Sequence, residues 1–202
     1  MVEAKQDVRE AVFAAAREVL AENGPANLSL REVARRAGVS HQAPYHHWRT
    51  KQDLLDDIAG RGFQSLDRSM AEAQAISPTG PRDQLIACGL GYWLFATKNP
   101  ADYKLMMNRD HVVVGRSTLL AAHATGAYAR LLEAVRAVRQ EGDLAVSEED
   151  IAVDAHAHWA LVHGLSWFSI EGTLRGMVSD PLAHVRNILE RTMAIYRVVT
   201  PG

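Results

Sequence analysis

GVSHQAPYHHW, residues 38–48, decides how this chain is read. Gly38 supplies a left-handed residue that can end a helix, Val39 plugs the turn that follows, and Ser40 can cap a second helix. Pro44 is the objection, since a proline in mid-helix costs ~3 kcal/mol or more. With Ser40 as the cap, however, Pro44 is the fourth helical residue. Its missing N–H then removes only the first intrahelical bond, to the Ser40 carbonyl. The expectation is a second helix that survives with a distortion.

Upstream, Ser29-Leu30-Arg31-Glu32 has the capping-box pattern, in which serine oxygen and glutamate carboxylate satisfy free backbone donors reciprocally. Leu30, Val33, Ala34 and Ala37 then give a short helix an inward face. Two short helices about a tight turn match a helix-turn-helix, whose second helix enters the major groove of DNA. An αα-hairpin without a ligand has the same outline. Charge separates the two: Arg31, Arg35, Arg36, Arg49 and Lys51 stand against the single acid Glu32, the local basic footprint that phosphate binding requires. The whole chain of 202 residues carries a net charge of −2, so nothing global points to nucleic acid.

The rest of the chain has helical rather than alternating periodicity, and the reading is all-α. A first helix is expected from about Asp7 to Asn23, stopped by Gly24 and Pro25, and another from Thr50-Lys51-Gln52-Asp53 to about Ala75. Further helices are expected at about 82–98, 101–108, 117–141, 147–174 and 181–199, with Ser77-Pro78-Thr79-Gly80-Pro81 as the clearest breaker. Two readings are open for Gly60 and Gly62 inside their helix: close packing, or a soft point between two parts of the chain. A lone cysteine, Cys88, offers no intrachain disulfide and suits a reducing cytoplasm. The first twenty residues lack a signal-peptide core, and the longest charge-free runs are too short for a membrane span.

The segment from Leu28 to Asp56, with Leu-Arg-Glu-Val-Ala-Arg-Arg-Ala-Gly-Val-Ser, Tyr-His-His-Trp and Lys-Gln-Asp-Leu-Leu, resembles the DNA-binding domain of TetR-type transcriptional regulators. The resemblance covers roughly residues 7–58. It implies a homodimeric repressor of about nine helices: a helix-turn-helix head over 1–58, and a helical-bundle ligand-binding and dimerisation body over 59–202. It assigns Tyr45 and His47 to phosphate contacts and Trp48 to packing against the first helix. His41, Gln42, Ala43 and Pro44 would then face base edges, where Gln42 can pair bidentately with adenine and the Ala43 methyl and Pro44 ring can pack on a thymine methyl. Lys51 adds phosphate affinity without sequence preference, and Arg31 and Ser40 complete the DNA-facing set. The implied partners are a palindromic operator, a second copy of the chain and an unidentified small hydrophobic ligand.

In the body, the 147–174 helix is apolar on two faces. Ile151, Ala155, Trp159, Val162 and Leu165 make one, and Val153, Ala157, Ala160, Gly164 and Trp167 the other, so it must be covered twice. The last helix carries a narrow stripe of Leu182, Val185, Leu189, Thr192, Tyr196 and Val199 suited to helix-on-helix packing. Trp159, Val162, His163, Leu189 and Tyr196 are the candidate dimer contacts. The run from Trp159 to Gly164 resembles the body of a TetR subgroup with a Trp-His-Gly signature. Of the many aromatic and methionine residues, Trp93, Met107, Tyr128 and Phe168 are the candidate ligand contacts; most others in such a bundle are core. Asp154, His156, His158 and His163 superficially suggest a metal cluster, but the His-Glu-x-x-His spacing is absent and the pairs point apart. No cofactor, metal site or nucleophile motif is expected, and with them no enzyme.

Overall fold

The computed structural model describes residues 2–141 and 147–195; Tyr196 and Val199 lie outside the described residues. Eight α-helices carry the fold, and no strand occurs among the described residues. They are α1 (Val2–Asn27), α2 (Leu30–Arg36), α3 (Lys51–Ala75), α4 (Pro81–Lys98), α5 (Pro100–Met106), α6 (Thr118–Glu141), α7 (Glu148–Ile170) and α8 (Pro181–Ile195). They form two units, residues 1–63 with 99–124, and residues 64–98 with 125–202.

The first unit is built on α1. Its regular part ends where predicted: Gly24 adopts φ 70°, ψ 171°, and Pro25 follows. Val12, Ala15, Ala16, Val19 and Leu20 are buried, and α1 packs on α2 and on α5. Arg17 reaches the nearly buried Asp102 at the start of α5 with both arms of its guanidinium, Nε at 3.1 Å, so a charged pair ties α5 to α1. The two readings of the α3 glycines now separate. A Cβ on Gly62 would lie 2.5 Å from Met106 Sδ, whereas one on Gly60 would meet nothing closer than 3.7 Å. Close packing accounts for Gly62 and leaves Gly60 unexplained.

The expected capping box at Ser29 is half formed. Ser29 Oγ accepts from Glu32 N–H at 3.3 Å, but the Glu32 carboxylate is held by both arms of Arg35 at 2.8 and 2.7 Å instead of returning to the cap. The full reciprocal box sits at α3, where Thr50 N–H donates to Asp53 Oδ2 at 3.0 Å and Asp53 N–H to Thr50 Oγ1 at 3.1 Å. Gly38, φ 68°, ends α2 in a Schellman turn: Val39 N–H reaches the Ala34 carbonyl and Gly38 N–H the Arg35 carbonyl.

In the second unit α4 is buried on nearly every side from Leu85 to Ala96, packed against α7 and α8. Gly91 lets α4 touch the α3 backbone: an added Cβ would lie 2.5 Å from Met70 Cα and 2.6 Å from the Ser69 carbonyl. Backbone does not yield as a flexible side chain does. Gly91→Ala is therefore expected to destabilise by about 1–3 kcal/mol, whereas Gly126→Ala, with open space at its Cβ, should gain up to about 1 kcal/mol from helix propensity. Urea midpoints of the two variants check this; equal shifts would show that the α3–α4 approach is not tight.

The helix expected to reach residue 174 ends at Ile170. Gly172, φ 77°, closes it with a second Schellman turn, Thr173 N–H to the Phe168 carbonyl at 2.9 Å. Of the α8 stripe, Val185 and Leu189 are buried within their own unit, whereas Leu182 is 41% exposed.

Candidate nucleic-acid interface

The segment after the helix turn does not form the distorted α-helix expected of it. Ala43 N–H bonds the Ser40 carbonyl at 3.0 Å, Tyr45 N–H that of Gln42, His46 N–H that of Ala43, and His47 N–H that of Pro44. These are successive i→i−3 bonds, with a 3₁₀ turn over Pro44–His46. The physical reason is Pro44. It has no N–H for the Ser40 carbonyl, so Ala43 takes that acceptor and the chain winds tighter from its first turn.

The tight winding sorts the predicted residues. Ser40, His41, Gln42 and Tyr45 are exposed, and Ala43 and His47 are half-buried. Pro44 is buried and packs inward where α2 meets this turn, so its ring is not offered to a groove as the sequence suggested. Trp48 is buried as expected, with the Arg9 guanidinium of α1 5.6 Å from its ring centroid and its indole N–H donating to Asp57 Oδ2 at 3.1 Å.

The basic field is smaller than the sequence count. Arg35 is held by Glu32, and Arg36 by Glu22 through two bonds of 2.6 and 2.7 Å. Hydrogen bonds from Arg35 and Arg36 hold the Glu32 and Glu22 carboxyls below the usual carboxylate range, the signature of formed pairs. Among the described residues Arg31 and Arg49 have no acidic partner, and Lys51 Nζ donates to the uncharged Ala26 carbonyl at 2.7 Å. Three of the five cations therefore carry no acidic partner among the described residues. Arg49 belongs to this set although the sequence assigned it no contact; its exposure beside Lys51 is the signal.

The candidate body residues separate differently from their predicted roles. Tyr92 of α4 accepts from Trp159 Nε1 at 3.3 Å and lies 3.2 Å from His163 Nδ1, while Tyr128 lies 3.1 Å from His156 Nε2 with its ring 6.0 Å from that of Trp159. Tyr128, expected at a ligand, and Trp159 and His163, expected at a partner, thus share one cluster. Trp93 is buried and bonds Ser169 Oγ at 2.9 Å, Phe168 is 47% exposed, and Met107, half-buried, ends α5 in the first unit. Val162 and Leu189 are buried within their own chain, so neither is a free dimer contact; both lie on the faces that pack on α4. The uncovered face of α7 is the other one: Val153 (61% exposed), Ala157, Ala160, Gly164 and Trp167 (41%), recurring at helical spacing. No group of three His, Cys, Asp or Glu side chains is placed to hold a metal ion among the described residues, and no described helix is long and apolar enough to cross a membrane.

Comparison with known proteins agrees with this architecture. Residues 12–58 match the family described as bacterial regulatory proteins, tetR family, and residues 85–192 match the tetracyclin repressor-like C-terminal domain. Among curated relatives, the HTH-type transcriptional regulator BetI of Agrobacterium fabrum is 34% identical over 79 residues, 39% of this chain and 38% of the relative. The HTH-type transcriptional repressor BepR of Brucella suis is 34% identical over 94 residues, 45% of this chain and 44% of the relative. The chain thus spans less than half the length of these relatives. A solved protein of unknown function from Rhodococcus sp. RHA1 shares the fold with TM-score 0.78 and 28% identity, over 92% of this chain and 93% of that one. The TetR family regulator PfmR of Thermus thermophilus does so with TM-score 0.71 and 16% identity, over 91% and 97%. With both family models matched in order, the chain belongs to the TetR family of bacterial regulatory proteins.

Proposed function

We propose that this chain is a cytoplasmic repressor that binds a palindromic operator as a homodimer and is released when a small apolar ligand enters the 59–202 body. His41 and Gln42 are read as facing base edges, with Ala43 beside them. Arg31, Ser40, Tyr45, His47, Arg49 and Lys51 are read as facing the phosphate backbone. Residues 1–58 are the DNA-binding head in this reading.

One observation carries the dimer, and through it the palindrome: the α7 stripe from Val153 to Trp167 is apolar, helical in spacing and uncovered. Such a face is stable in water when a second copy covers it, and two heads related by a two-fold axis read a palindrome. Ala160→Glu places a charge in the middle of that stripe. It is expected to give a monomer by sedimentation velocity whose affinity for a palindromic duplex falls to that for a half-site. A variant that remains dimeric would sink this assignment of the face.

Release requires that the ligand bind the two states of the dimer unequally, with a coupling of typically ~1–3 kcal/mol, or about 5- to 150-fold in DNA affinity. Trp93, Tyr128 and Phe168 remain the proposed ligand contacts, with the Tyr92–Trp159–His163 cluster supplying hydrogen-bonding groups beside Tyr128. A compound found by thermal shift that leaves duplex affinity unchanged counts against the release step.

A further inference from the structure

The recognition segment is a run of tight turns, and such a run is not self-supporting. An α-helix transmits orientation through a continuous ladder, whereas 3₁₀ turns have poorer hydrogen-bond geometry and rarely extend beyond three or four residues. What holds the segment in place must come from outside it.

Asp57, on α3, meets that requirement. Its Oδ2 accepts from Trp48 Nε1 at 3.1 Å and from Arg9 of α1 at 2.9 Å, and its Oδ1 accepts from Arg61 Nε at 3.4 Å. The carboxylate side chain is only 15% exposed. Arg61 is fixed in turn by Glu10 of α1 through bonds of 2.9 and 3.0 Å, and its guanidinium lies 3.9 Å from the Phe13 ring centroid. One carboxylate therefore joins the residue that closes the recognition segment to the two long helices on which the segment rests. Charge-assisted bonds of this kind are the stronger and more directional ones.

We infer that Asp57 is a positioning residue for sequence recognition: through Trp48 it sets the angle at which His41, Gln42 and Tyr45 meet the groove, without touching DNA. This rests on the reading of His41 and Gln42 as base-facing. A residue of this kind acts on discrimination between sequences, because phosphate contacts tolerate a small rotation that base-edge hydrogen bonds do not.

The test uses the full chain, the duplex that the unaltered protein selects from a random-sequence pool, and a scrambled duplex of the same composition, at one salt concentration. Asp57→Asn preserves shape and can still accept the indole bond, but withdraws the charge from Arg9 and Arg61. The expected result is about tenfold weaker binding to the selected duplex, unchanged binding to the scrambled one, and a shifted Trp48 indole N–H resonance in ¹⁵N NMR. Equal losses on both duplexes, or no loss on either, overturn the inference. Should Asp57→Asn fail to fold, Arg9→Gln removes one cation from the same oxygen at a nearly half-exposed site and must show the same selective loss, about threefold. Gln42→Ala separates the two claims: unchanged preference there refutes Gln42 as a base contact, while a selective loss in Asp57→Asn still stands for the positioning role.

Discussion

Raising salt from 50 to 200 mM is expected to weaken the proposed dimer's hold on DNA by about 10³-fold, with a log–log slope of about −5. The slope is set by which cations are free. Five basic residues lie between Arg31 and Lys51, and ten in a dimer would give a slope of about −9 and a loss of about 10⁵-fold. In the structure Arg35 and Arg36 already have carboxylate partners. A guanidinium that is neutralised before binding releases few counterions when DNA arrives. Arg31, Arg49 and Lys51 remain, three per head and about six per dimer, at about 0.9 counterions each. Arg31→Ala should make the slope shallower by about 2, and Arg36→Ala should leave it where it is. Filter binding or fluorescence anisotropy over this salt range decides the matter. A slope near −9 for the unaltered protein would mean that the Glu22 and Glu32 pairs open on DNA.

Residue order carries the local features of this chain and omits the pairings across elements. The turn at Gly38, the helix starts at Thr50 and Ser147 and the breaker at residues 77–81 were legible because each rests on a local rule of backbone geometry. Pairing across elements was not. Glu22 lies fourteen residues before Arg36 and on another helix, so the count of charges along residues 31–51 could not register it. Nor could the count of free backbone donors near Ser40 show that Ala43 would take the acceptor Pro44 leaves vacant, turning an α-helix into 3₁₀ turns.

The same limit applies to the body. Periodicity showed that α7 has two apolar faces, but it assigns neither face to its own core nor to a partner. The packing on α4 does that, taking Ile151, Ala155, Val162 and Leu165 inward and leaving Val153, Ala157, Ala160 and Trp167 outside. Leu189 illustrates the error that follows without this information: a stripe suited to a neighbouring helix found its neighbour within the chain. His158, which the sequence grouped only with a superficial metal cluster, carries the second large effect.

His158 makes acid the condition under which this body fails. It is 2% exposed, on the α7 face that meets α4, and neither ring nitrogen has a hydrogen-bond partner among the described residues. Gly89 makes the room for it, since a Cβ there would lie 2.9 Å from Nε2 and 3.1 Å from Leu189 Cδ1. Neither neighbour offers a charge to an imidazolium. Burial alone lowers the imidazole from 6.5 to about 4, a difference of about 3 kcal/mol. The folded value lies below the unfolded one, so the unfolded chain binds the extra proton first. Stability is full above about pH 6.5, falls as pH drops below it, and has lost this contribution entirely below about pH 4.

Carboxylates also titrate in that window, and the variant His158→Leu separates them. Leucine is close in volume and removes both unpaired nitrogens, a change that is near neutral or stabilising when nothing is left unsatisfied. At pH 7 the variant should be at least as stable as the parent, and between pH 7 and pH 4 it should lose about 3 kcal/mol less. Cys88 gives a direct readout of opening in the same unit, being buried with its thiol pushed up to about 12 by that burial. A thiol reagent that acts on the protonated thiol should reach Cys88 in the parent faster at pH 4.5 than at pH 7, and much less so in His158→Leu. Identical pH dependence in the two proteins would show that His158 is already protonated or partnered in the folded chain.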